Sequence, residues 1–204
     1  MSKPSPERIL GKIVKTNAHY DYVGHIYGPG EINAPPQPDE YSLGTFVSIP
    51  VDAEQEIIGL IYDTILLNPE YGRFGPRLSP ESDLAIFSPD YLQEKTILIG
   101  ILPIGLMQKS ADSRQGIPRL IAPTDAPIRP LPPQSIRQFH LPKNNFQLQY
   151  LPTLLTLNTP ITLPLAQIVL TQLLTIFPEQ QEKLQLLQQQ LSWQSQIIPF
   201  GGNP

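Results

Sequence analysis

The chain of 204 residues contains no cysteine. That absence excludes a disulfide framework, a thiol nucleophile and any zinc site built on sulfur ligands. It also fits a reducing compartment. Long apolar runs are missing too: no stretch reaches the roughly 18 to 20 apolar residues a membrane helix needs. The opening MSKPSPERILGKI carries prolines and charges early and has no apolar segment of signal-peptide length. A soluble, cytoplasmic protein with no membrane partner is the expectation. A chain of this length buries enough core to fold without staples.

Charge is sparse and uneven. Residues 1–105 hold 7 basic and 14 acidic side chains, residues 106–150 hold 6 and 2, and residues 151–204 hold 1 and 2, within a net charge of −4. A nucleic-acid-binding domain normally presents a basic face. Here the strand-rich part is acidic and the basic residues fall in a proline-rich stretch, which disfavours nucleic acid as a partner of that part.

What the chain has in excess is proline, 25 residues, well above the usual share of about one in twenty. From Ile9 to Met107 short strand-like runs alternate with turn signals: ILGKIVKT, DYVGHIYG, LGTFVSIPV, IIGLIYDTILLN, DLAIFS and KTILIGILPIGLM. Between the second and third lies a proline- and glycine-rich loop, GPGEINAPPQPDE. Gly11, Gly24, Gly44, Gly59 and Gly100 fall inside or at the start of these runs, with a bend or bulge expected at Gly59. Such glycines suit strands that coil tightly, as closing a small barrel requires. The expected fold is therefore mainly β: a small closed six-stranded β-barrel over residues 6–107.

Residues 108–150, with prolines every few positions, predict an extended linker lacking regular structure and anchored at most by Leu120, Ile121, Ile128 and Leu131. Residues 151–200 predict a carboxy-terminal α-helical hairpin. FQLQYLPTLLTLN ahead of it suits a further strand or return segment. Thr162 is a candidate cap for LAQIVLTQLLTIF, and Pro178 breaks that helix and opens PEQQEKLQLLQQQLSWQ. Leu184, Leu187 and Leu191 stand at i, i+3 and i+7. With Trp193 they are a candidate contact for a partner helix, although a stripe this short favours packing within the chain.

The succession ILGKIV, VGHIYG, LGTFVSIP, IIGLIYDTILLN and ILIGILPIG resembles the HAS-barrel family, the small barrel named for HerA-type DNA-translocating ATPases and the ATP synthase. Gly44 ahead of Phe46, Val47 and Ile49, and Gly59 ahead of Leu60 and Ile61, carry the resemblance. RPLPPQSI, Arg129 to Ile136, is similar to the proline-rich connection after that barrel. OB-like and translation-factor barrels share much of this spacing. HerA-type proteins continue into an ATPase domain with a G-x-x-x-x-G-K-[ST] loop. No such loop occurs here, so the resemblance implies a stand-alone barrel without the motor. It further implies a non-enzymatic protein-interaction, assembly or adaptor module that meets a protein partner or its own copies. The alternative is a nucleic-acid-associated factor linked to DNA processing or repair.

No catalytic residue, cofactor or metal is expected. His19 and His25 stand six apart with a strand beginning between them, and a divalent site would still want a third ligand, for which Asp21 is the local candidate. The serines Ser42, Ser48, Ser79, Ser82 and Ser88 lack a G-x-S-x-G elbow, and Asp39–Glu40 and Glu54/Glu56 read as solvated turn residues. The richest candidate is the loop PEYGRFGPR, whose Tyr71, Arg73, Phe74 and Arg77 are residue types enriched at interfaces. The same four also suit stacking on a base and pairing a phosphate.

Overall fold

The computed structural model describes residues 8–67, 96–110, 112–157 and 159–197. Its strands are β1 (Gly11–Ala18), β2 (Asp21–Ile26), β3 (Phe46–Pro50), β4 (Gln55–Leu67), β5 (Thr96–Gln108), β6 (Ser113–Gln115) and β7 (Pro127–Pro130). Six of them close a ring in the order β2-β1-β7-β3-β4-β5, with β5 returning to β2, and every pairing is antiparallel. β6 is an additional strand. It takes the stretch Gly105–Met107 of β5, while β2 takes Ile97–Ile101 further along. The closed mainly-β barrel with carboxy-terminal helices is thus present.

The ring closes by a different route from the expected one. The run DLAIFS lies outside the described residues. The sixth strand is instead β7, in the middle of the stretch expected to be an irregular linker. It fits because it is short and pairs through few groups. Leu10 N–H donates to the Ile128 carbonyl and Leu131 N–H to the Phe46 carbonyl, so closure here does not call on a proline for a donor. Ile128 is fully buried inside the barrel. The same stretch also contains β6 and helix α1 (Pro133–His140). Proline at the first turn of α1 suits a helix start, where an amide hydrogen has no partner anyway. The expectation of a linker without regular structure over residues 108–150 is therefore corrected.

Three more helices follow: α2 (Leu151–Leu155), α3 (Thr162–Ile176) and α4 (Gln181–Ile197). α2 replaces the further strand allowed for LPTLL, and Pro152 sits at its start. Thr162 does not cap α3 as expected. Its hydroxyl oxygen accepts from the Thr159 N–H at 3.1 Å, and Ile161 occupies the capping position. α3 and α4 form the expected hairpin, broken at Pro178 by a 3₁₀ turn, Pro178–Gln180.

Period-two alternation sorts the strand residues into two cores. Inside the barrel lie Ile13, Tyr22, Val47, Ile49, Ile57, Ile61, Ile99 and Ile101. On its outer face Phe46, Ile58, Leu60, Leu102 and Ile104 pack under Phe139, Leu154, Leu165, Val169, Leu173 and Leu184 of the helical layer. Two shifts of register let β4 and β5 serve both cores, one between Ile58 and Gly59 and one between Ile61 and Asp63. The first falls where a bulge was expected. Gly44 has φ +82°, a left-handed turn into β3 that a side chain would strain. A Cβ on Gly11 would stand 1.8 Å from the His25 carbonyl oxygen, so only glycine lets β1 and β2 cross this closely.

Candidate functional site

β4 is the longest feature of the barrel wall along with β5, and its two halves differ. From Ile57 to Ile61 every residue is buried. Tyr62 occupies the second register shift. Its ring lies against Gly100, where a Cβ would come within 2.8 Å, and its hydroxyl donates to Asp21 Oδ1 at 2.6 Å. Burial, then the Asp21 carboxylate, push the Tyr62 hydroxyl far above the ordinary phenol range, so it stays a donor. This bond ties the start of β2 to the wall.

Beyond Tyr62 the strand outruns β3. Pairing with β3 ends at Phe46 and Leu60, with backbone bonds from Gly44 N–H to Ile61 and from Ile61 N–H to Thr45. Asp63 through Leu67 pair with β5 alone among the described residues. The Asp63 carboxylate accepts the Thr64 N–H at 2.8 Å, which partly blunts the open edge. The next three residues leave apolar side chains in solvent: Ile65 is 48%, Leu66 74% and Leu67 47% exposed. Leu66 pairs with Ile97, and Ile65 with Leu98, so both faces of this projection are apolar.

The loop candidates Tyr71, Arg73, Phe74 and Arg77, with Ser79, Ser82 and Ser88, lie outside the described residues. They follow directly on the apolar end of β4. Of the helix candidates, Leu184 and Leu191 are buried in the outer core and Leu187 packs partly buried against it, so these leucines hold α4 to its own molecule. Trp193 is 68% exposed. The arrangement separates Trp193 from the leucine stripe it follows in sequence.

The polar candidates have local partners. His19 Nε2 contacts the Pro118 carbonyl at 2.7 Å, Asp21 accepts from Asn17 and Tyr62, and His25 faces Glu31 at 3.6 Å. Glu40 grips Arg8, whose Nη1 also donates to the Ala34 carbonyl. That guanidinium holds the Glu40 carboxyl below its usual range and is itself raised. Glu31 accepts the Gly28 N–H at 2.7 Å, closing the glycine-rich loop on itself. Glu56 stands 4.0 Å from Arg129. Ser42 donates to the Asp39 carbonyl, and Ser48 is buried in β3.

One polar centre escaped the sequence reading. His140, at the end of α1, is fully buried among Phe46, Phe139, Phe146, Tyr150 and Phe177. Its Nδ1–H donates to the Ile136 carbonyl at 2.7 Å, so the neutral ring offers Nε2 to accept the Tyr150 O–H at 2.9 Å. Burial pushes the imidazole down to about 4, against a smaller upward pull from the Ile136 carbonyl, and pushes Tyr150 up. Both nitrogens are spent on partners, which suits a joint between barrel and helices rather than proton transfer to a ligand. Nearby, Arg137 lies 5.0 Å over the Phe177 ring, donates to the Ile176 carbonyl at 2.7 Å and pairs with Glu179. The rings come from segments far apart in sequence, and no short motif announces them.

Among the described residues no helix is long and apolar enough to cross a membrane, and no three His, Cys, Asp or Glu side chains gather to hold a metal ion. No curated protein matches the chain. A family model described as a domain of unknown function (DUF8166) matches residues 2–198, nearly the whole sequence, and the chain belongs to that family.

Proposed function

We propose that this chain is a non-enzymatic assembly or adaptor module built on a HAS-like barrel, and that it joins copies of itself or another protein through the projecting end of β4. The observation that supports the reading is the row Ile65, Leu66 and Leu67, exposed on a strand whose outer edge has no partner among the described residues. Exposed apolar side chains on a free strand edge are a template for adding another chain. Three basic groups of the described barrel stand against acids, which favours a protein role over a nucleic-acid one. Arg8 is engaged by Glu40, Lys12 by Asp125 at 2.8 Å, and Arg129 stands near Glu56. Light scattering on the purified chain, with and without excess duplex DNA at low salt, tests the reading. A defined oligomer indifferent to DNA is expected. A monomer that gains mass only with DNA would replace this reading with the nucleic-acid one, and Arg73→Ala with Arg77→Ala would then abolish the gain.

A further inference from the structure

The stretch between β6 and β7 is tied to β1 at two points and exposes apolar side chains between them. At one tie the Pro118 carbonyl meets His19 Nε2 at 2.7 Å, in the turn between β1 and β2. At the other, Asp125 N–H donates to the Ile13 carbonyl and Ile13 N–H to the Ala126 carbonyl. Between the ties Leu120 is 41% and Ile121 50% exposed, and Ile117, just ahead of them, is 40% exposed. Tyr20 in the neighbouring turn is 51% exposed. Two cations share this surface: Arg119 sits within the loop, and Lys15 lies on β1 between the same ties. Both are exposed, and neither has an ion pair among the described residues. The acids of these segments are already engaged. Asp125 pairs with Lys12 at 2.8 Å, and Asp21 accepts from Asn17 and Tyr62.

Charge complementarity asks for an anionic partner, and the leucine and isoleucines ask for apolar matter beside the charge. The surface offers projecting tips and no groove, since the void that Ile117 lines with Leu102, Pro103 and Tyr150 is too small for water. A bound peptide draws on a groove, pockets or a paired strand edge. The headgroup region of a bilayer instead takes in projecting apolar tips, seats tyrosine at its boundary and attracts Lys and Arg to its phosphates. An arginine between apolar side chains suits that boundary, because its stem lies along them while the guanidinium reaches outward. We infer that the loop after β6 docks the protein on an anionic membrane surface. Ile117, Leu120 and Ile121 enter the headgroup boundary, and Arg119 and Lys15 meet lipid phosphates. The contact is peripheral and needs no crossing helix. With so few tips and charges it is also weak and reversible. β2 has Tyr22 beside Ile101 and Ile26 beside Ile97, and Ile97 also pairs with Leu66. The turn therefore lies at the end of β2 away from the projecting end of β4, and the two surfaces share no residue. This inference stands or falls independently of the assembly role.

Sedimentation of the intact protein with vesicles tests this. Vesicles of equal parts phosphatidylcholine and phosphatidylglycerol are expected to carry the protein down at low salt, and pure phosphatidylcholine vesicles are not. Raising the salt is expected to weaken the binding. Leu120→Ser with Ile121→Ser is expected to bind about tenfold more weakly, and Arg119→Glu to lose a similar factor. All three positions are exposed, and circular dichroism checks that each variant is folded; Arg119→Glu leaves the apolar side chains in place, so it tests the docking even if the double variant does not fold. The inference is overturned if anionic vesicles leave the protein in solution, or if neutral vesicles bind it equally. Undiminished binding by either folded variant also overturns it. If polyglutamate binds as tightly as the vesicles and is lost in the same variants, the surface is one for acidic polypeptides and the membrane reading falls.

Discussion

The two halves of β4 are built from the same kinds of residue and meet opposite fates. Ile57, Ile58, Leu60 and Ile61 are wholly buried between two cores, whereas Ile65, Leu66 and Leu67, a few positions on, stand in solvent. Composition does not separate them. What does is the neighbour across the edge: β3 covers the first half, and among the described residues the second half has only β5. An apolar strand end whose outer edge pairs with no other described residue is what the assembly proposal rests on.

The contrast is most easily broken from the buried side. Leu60→Ala is expected to destabilise the protein by about 2–5 kcal/mol, because the hole it leaves faces the packed outer core. Denaturant unfolding checks this, and a midpoint equal to the parent's would show that the helical layer is not packed on the barrel as described.

The joint between barrel and helices gives the next effect. His140 is neutral when folded and titrates at about 4, against about 6.5 in an unfolded chain. The unfolded state therefore takes up the proton first, and stability falls as pH drops from about 6.5 to about 4, by roughly 3 kcal/mol. His140→Phe, itself less stable because Tyr150 loses its acceptor, is expected to lose most of that dependence. Unfolding midpoints at several pH values decide it, and a His140→Phe protein with the parental slope would refute the assignment. Further out, Arg137→Ala loses its bond to the Ile176 carbonyl and its stacking on Phe177, and is expected to cost about 1 kcal/mol. No change in melting behaviour would mean that this surface group does not anchor the α3–α4 turn.

These residues also mark how far the sequence can be read. Alternation and glycine spacing carry a closed barrel, because both follow from local geometry, and the helical hairpin follows from Pro178 and the leucine repeat. β7 was hidden, since Pro127–Pro130 has no alternation to show and pairs only because β1 and β3 present their edges to it. α1 and α2 were hidden by prolines of their own, Pro133 and Pro152, which at helix starts do no harm. The His140 cluster draws rings from Phe46 to Phe177 and exists only in the folded chain. Nor does the run IIGLIYDTILLN say where burial stops. Asp63 interrupts it, but which side lies inside the barrel depends on the length of β3.

The smallest expected change in stability belongs to the most informative variant. Leu66→Lys, at a side chain 74% exposed, is expected to alter folding stability by no more than about 0.5 kcal/mol. Light scattering of the parent and of Leu66→Lys at matched concentration is the most direct test of the central claim. The account predicts a defined oligomer for the parent and a folded monomer for the variant. A parent that is monomeric, or a variant that keeps the parent's mass, would contradict it.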